Sequence, residues 1–108
     1  MDHDSTLAGR LRAITTRFDE IETRLAALGS SFDPDENKRL SKERATLEPT
    51  VSAWTEHQEL ARKLTDAETM VRDSDPDVAE MAKAEVQVLR EQLSDSERLL
   101  RVLLVPRD

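Results

Sequence analysis

The side chains with the widest chemical reach in this 108-residue sequence are its two histidines, His3 and His57. An imidazole can serve as a general base, a proton shuttle or a metal ligand. His57 stands beside Glu56 and Glu59, a pairing that could begin a metal site. A zinc site, however, needs three or four ligands converging on one face. No further ligand stands at a suitable helical spacing, so His57 reads as a surface or boundary histidine. Carboxylates are abundant, with 23 Asp and Glu. Each close pair is accounted for by helix capping or by ion pairs three or four residues apart on a helix. Gly9 and Gly29 are isolated, so no glycine-rich loop can cradle a phosphate. The serines have no base beside them. The absence of cysteine excludes disulfides, thiolate zinc sites and cysteine nucleophiles, and agrees with a reducing cytoplasm. The sequence therefore offers no catalytic, cofactor-binding or metal-binding residue and reads as a non-catalytic module.

Composition says what kind of module. Charged residues make up 36% and aromatics 3%, so any core must be aliphatic and much of the surface ionic. This is the composition of long helices and coiled coils. The net charge of −7, with Lys and Arg scattered among acids, argues against direct nucleic-acid readout, which needs a basic face. Protein partners fit better. The opening "MDHDSTLAGR" lacks the apolar core of a signal peptide, and no stretch approaches the roughly 20 apolar residues of a membrane span.

The elements follow from spacing. Leu7, Leu11, Ile14, Phe18, Ile21, Leu25 and Leu28 are separated by alternating steps of four and three, the seam of a helix packed at a shallow angle. Ser5 or Asp4 can cap its start and Gly29 can end it. A second helix is expected over residues 34–73. Asp33 serves as its cap, Pro34 takes the first position, where a missing N–H costs nothing, and Asp35 and Glu36 complement the helix dipole. Glu36, three residues after Asp33, also suggests a capping box. The apolar stripe here is Leu40, Leu47, Val51, Trp54, Ala61, Leu64 and Val71. Pro49 interrupts it, so a kink or local break is expected between Ala45 and Pro49, with Trp54 as a core anchor beside it. Asp75-Pro76-Asp77 repeats the Asp33-Pro34-Asp35 start, as an independent helix start rather than a repeat of a larger unit. The third helix carries Val78, Ala82, Val86, Leu89, Leu93, Leu100 and Leu103 on one face. Met70 and Met81 read as core or boundary filler. The links "GSSFD" and "DSD" are short, so consecutive helices fold back on each other. The expected fold is all-α: one domain over residues 1–108, an elongated antiparallel three-helix bundle with coiled-coil-like packing.

Three stretches carry a family resemblance. "LSKERATLEPTV", Leu40 to Val51, resembles the Leu-Ser-Lys-Glu … Leu-Glu-Pro-x-Val stretch of bacterial class I peptide chain release factors. "DSDPDVAEMAKAEV", Asp73 to Val86, is similar to that family's Asp-Pro-Asp/Glu … Met-Ala-x-x-Glu helix start. "LLVPRD", Leu103 to Asp108, resembles the Leu-Leu-x-Pro-Lys/Arg-Asp segment that closes its N-terminal helical domain. They fall in the family's order over residues 32–108, and before them helix 1 agrees in pattern only. Family members often have tyrosine where Trp54 and His57 stand. The forms of the first and last stretches resemble the type 1 factor, which reads UAA and UAG.

The resemblance implies an N-terminal domain of a larger factor. The Pro-x-Thr codon-reading tripeptide and the Gly-Gly-Gln hydrolysis motif of the later domains do not occur in this chain. On that reading the apolar run Val102 to Val105 is the end of helix 3, partly stripped of its neighbour. The implied partners are the ribosome, a ribosomal protein at the stalk base, the release-factor recycling GTPase and the glutamine methyltransferase, all in the cytoplasm, with no membrane. Two other classes fit the residues: a free-standing helical adaptor and a homodimeric coiled coil.

Overall fold

A computed structural model describes residues 6–28 and 33–106. They form three helices, α1 (Leu7–Ala27), α2 (Pro34–Met70) and α3 (Pro76–Leu103), and no strand occurs among them. The chain divides into two compact units, Met1–Ser52 and Ala53–Asp108, and α2 runs through the boundary.

In the first unit α1 starts at Thr6, whose hydroxyl accepts the Gly9 amide at 2.9 Å. Thr6 thus does the work expected of Ser5 or Asp4, which lie outside the described residues, as does Gly29. The physical role is the one anticipated, a side-chain oxygen meeting an otherwise orphaned amide, moved to the neighbouring residue. All seven positions of the α1 seam are at least half-buried, and Leu11, Phe18, Ile21 and Leu28 are buried outright. Leu40 and Thr50 of α2 are buried in the same unit. Arg17 meets Glu43 and Arg24 meets Glu36: one partner advances seven residues along α1 while the other retreats seven along α2. That register makes the two helices antiparallel.

The helix does not break at Pro49. Assigned α-helix is continuous from Pro34 to Met70 with the proline inside it. Pro49 is exposed, so its ring lies on the outer side of the helix. The C-terminal end falls at Met70 rather than at residue 73, where Asp73 already turns its amide onto the Met70 carbonyl at 3.0 Å.

In the second unit the later part of α2 pairs with α3. His57 meets Ser96, and Glu68 meets Arg90 further along, again an antiparallel register. Ala67, Val86 and Leu89 form the buried cluster, with Leu60, Leu64 and Val71 packed against it. All seven expected positions of the α3 face are buried or half-buried. The α2 face differs from expectation. Ala61 is exposed, and the inward line is Ala53, His57, Leu60, Leu64, Ala67 and Val71, a regular alternation of four and three. Trp54 stands at the edge of that line and is half-buried rather than a core anchor. Met70 and Met81 are exposed, at 48% and 74%, and fill no core position. The side chains at the centre of the seam are small or short enough to let the helices approach, and a methionine is not needed there.

Candidate functional site

The two Asp-Pro-Asp starts use one geometry. Asp33 Oδ1 accepts the Asp35 amide at 3.0 Å and the Glu36 amide at 3.3 Å. Asp75 Oδ1 accepts the Asp77 amide at 2.9 Å, and Asp73 Oδ1 in turn accepts the Asp75 amide at 2.8 Å. In each case the proline occupies the first helical position, fixing φ where no amide is needed. The capping box at Glu36 takes a different form. Its carboxylate binds Arg24, whose Nε and Nη2 donate at 2.6 and 3.0 Å.

The stretch Leu40 to Val51 locks the first unit. Glu43 receives Nε and Nη2 of Arg17 at 2.7 and 2.8 Å. Arg44 donates to Glu22 of α1 at 3.0 Å and to Glu48 of α2 at 3.0 Å, and its guanidinium sits 5.0 Å from the centre of the Phe18 ring. Arg17 and Arg24 flank the α1 seam on one side and Glu22 on the other, so the hairpin is fastened along both edges. Hydrogen bonds from the guanidinium groups hold the carboxyls of Glu36 and Glu43 below the ordinary glutamate range. The same bonds push the Arg17 and Arg24 guanidiniums up, and the hydrogen bond to Glu22 pushes up that of Arg44. The Arg17–Glu43 and Arg24–Glu36 contacts are planar and two-pronged, a geometry lysine could not reproduce.

The second unit holds His57, the histidine weighed in the sequence. Its ring stacks on Trp54 with centroids 5.6 Å apart and planes 16° from parallel. Its Nδ1 lies 3.0 Å from Ser96 Oγ. The neighbouring Glu56 and Glu59 do not join it: Glu59 binds Arg62, whose guanidinium holds that carboxyl below its ordinary range. His57 is therefore a packing and hydrogen-bonding residue between two helices. Nothing in the sequence pointed to Ser96 as its partner, because the two are 39 residues apart and meet only through the antiparallel register. His3 lies outside the described residues. No group of three or more His, Cys, Asp or Glu side chains that could hold a metal ion occurs among the described residues.

The three family-like stretches thus have distinct structural work. Leu40 to Val51 supplies Glu43 and Arg44 to the α1–α2 clamps. Asp73 to Val86 supplies the cap of α3 and the inward-facing Ala82 and Val86. From Leu103 onward the helix closes, with the Leu104 amide on the Leu100 carbonyl at 3.1 Å, while Val102 and Val105 are exposed. Arg107 and Asp108 lie outside the described residues.

Helices paired antiparallel and clamped by Arg–Glu contacts define an all-α helical domain. The PCRF domain model matches residues 14–108, and the chain belongs to that family. The match begins at Ile14, inside α1, so it takes in a helix that the three stretches alone left to pattern. Similar curated proteins are each named peptide chain release factor 1. That of Anaeromyxobacter sp. (strain Fw109-5) is 39% identical over 99 residues, covering 92% of this chain and 27% of the relative. That of Anaeromyxobacter dehalogenans (strain 2CP-C) is 34% identical over 99 residues, with 92% and 27% covered. That of Streptococcus gordonii (strain Challis) is 33% identical over 101 residues, with 92% and 28% covered. The chain spans little more than a quarter of the length of these relatives. No solved structure matches. No helix among the described residues is long and apolar enough to cross a membrane.

Proposed function

We propose that this chain is the N-terminal helical domain of a peptide chain release factor that directs translation termination at UAA and UAG. The observation that carries the reading is the family match over residues 14–108, which runs through all three helices and all three family-like stretches. On this reading the domain is non-catalytic. The codon-reading and ester-hydrolysing motifs belong to the rest of the longer protein, in which 1–108 forms one domain. The domain works in the cytoplasm by contacting protein on the ribosome, at the stalk base, and it faces the recycling GTPase. The methyltransferase would act on the glutamine of the distant Gly-Gly-Gln motif. The acidic, ion-paired surface supports protein contacts over bare RNA, because phosphate repels it.

The test is a graft. This chain replaces the corresponding segment of the Anaeromyxobacter sp. release factor 1, and peptide release is followed on ribosomes programmed with each stop codon. The expected result is release on UAA and UAG and none on UGA, with no release by the 108-residue chain alone. A graft that folds yet fails to release on UAA and UAG would overturn the reading.

A further inference from the structure

Three of the six exposed large apolar side chains among the described residues of the second unit lie along one side of α3. Met81, Val88 and Leu99 of α3 are 74%, 53% and 49% exposed. They are separated by seven and eleven residues. At about 100° per residue, seven residues fall about 20° short of two turns and eleven about 20° beyond three. The three side chains therefore share one line, about 27 Å long at about 1.5 Å per residue. At its Leu99 end the line borders a groove between α2 and α3 of about 280 Å³, floored by Ala53, Leu60 and Leu99 and rimmed by Glu56, Gln92 and Asp95. The opposite groove between the same helices also has an apolar floor, Val71 and Val86, but its rim carries the bases Arg72, Lys83 and Arg90 and is bridged by the Arg90–Glu68 ion pair at 3.4 Å.

Charge selects the occupant. Within about 60° of the apolar line, at about 100° per residue, the charged residues of α3 are Asp77, Glu85 and Asp95, and none is basic. Asp77 and Glu85 enter no side-chain ion pair among the described residues, and neither does Glu56 across the groove. Lys63 is the base on the α2 rim, beside Glu59. Asp95 is held by Arg98, so a second copy of this chain would bring acid against acid at Asp77 and Glu85. An anionic membrane or a nucleic acid would meet the same repulsion. A helix with an apolar stripe and basic flanks would cover the line and neutralise its margins. Exposed methionine suits such a surface, since its flexible thioether adapts to an incoming side chain.

We infer that this side of the α2–α3 hairpin docks a basic amphipathic helix of a partner protein, about five turns long, laid along Met81, Val88 and Leu99. The inference stands apart from the role in termination, and its test uses the chain alone. The probe is an 18-residue helical peptide with leucine at the a and d heptad positions and lysine on the flanks, titrated into the isotope-labelled 108-residue chain and followed by amide shifts. A matched peptide carries glutamate on the flanks. Shifts are expected at Met81, Val88, Gln92 and Leu99, with the lysine peptide binding at least tenfold more tightly than the glutamate one. Val88→Ser with Leu99→Ser should weaken binding at least tenfold, and Gln87→Ala, in the opposite groove, should leave it within twofold. Met81→Lys, at a more exposed position, repeats the test if the double variant loses helical circular dichroism. Equal binding of both peptides, shifts on the Arg90 side, or no binding would overturn the proposal. So would a dimer in sedimentation that Val88→Ser with Leu99→Ser dissociates, or capture of the chain by anionic vesicles.

Discussion

Arg24, in the last turn of α1, grips Glu36, in the first turn of α2, through two parallel hydrogen bonds of 2.6 and 3.0 Å. Each charge also sits at the helix end that favours it, a cation at the C-terminus and an anion at the N-terminus. One pair thus serves two dipoles and closes the hairpin where the chain reverses. Glu36→Gln and Arg24→Lys should both lower the urea midpoint, and the double variant should cost less than the two single changes together, because the pair acts as a unit.

The same clamps set an acid limit. Glu36 and Glu43 have folded-state pKa values held down by Arg24 and Arg17. A carboxyl depressed on folding contributes stability that is fully present above its unfolded value, about 4.3 for glutamate. That contribution is lost as pH falls through the lower, folded value. Urea midpoints measured from pH 7 to pH 3 should therefore hold steady at first and then drop below about pH 4.3. Glu36→Gln with Glu43→Gln should start lower and drop less.

The caps predict a matched pair of losses. Asp75→Ala removes the acceptor of the Asp77 amide, and Asp33→Ala removes the acceptor of the Asp35 and Glu36 amides. Each should cost about 1 kcal/mol by denaturant unfolding, and the corresponding asparagine substitutions should restore most of it.

Pro49 lies in an uninterrupted helix and is exposed, so its ring has no described packing role to offset the amide it lacks. Pro49→Ala should raise stability, by up to about 3 kcal/mol. An unchanged dependence on denaturant concentration would show that the folded and unfolded states are otherwise the same. A fall in stability would give the proline a conformational role that the helix itself does not reveal.

Burial separates positions that look alike in the sequence. Ile21 and Leu100 are fully buried, whereas Met81 is 74% exposed. Ile21→Ala and Leu100→Ala should each cost about 2–5 kcal/mol. Met81→Ala should stay within about 0.5 kcal/mol.

The α1 and α3 seams were legible because their inward residues are large and aliphatic, and the period of 3.5 stands out against charge. The Asp-Pro starts were legible because the cap is local. The α2 seam was legible at Leu40, Leu47, Val51, Leu64 and Val71 but not at Ala53, His57 and Ala67. Small or polar residues there leave a weaker apolar signal than the nearby Trp54, and residue type does not separate Ala53 and Ala67 from the exposed Ala61. Of the kink or local break expected between Ala45 and Pro49, a break is absent: α2 runs continuously through the proline, which lies on its exposed side. The Arg–Glu clamps were hidden for another reason. Partner choice depends on how far one helix slides along the other, and either helix alone offers several equally placed acids. Once the antiparallel register is fixed, Arg17 and Arg24 reach Glu43 and Glu36 with the same seven-residue step.

Stop-codon-dependent release of labelled formylmethionine by the grafted release factor, measured beside the 108-residue chain alone, decides whether this domain serves termination. Release on UAA and UAG by the graft, none on UGA, and no hydrolysis by the chain alone are the predicted results. Hydrolysis by the chain alone, or a folded graft that is silent on UAA and UAG, would contradict the account.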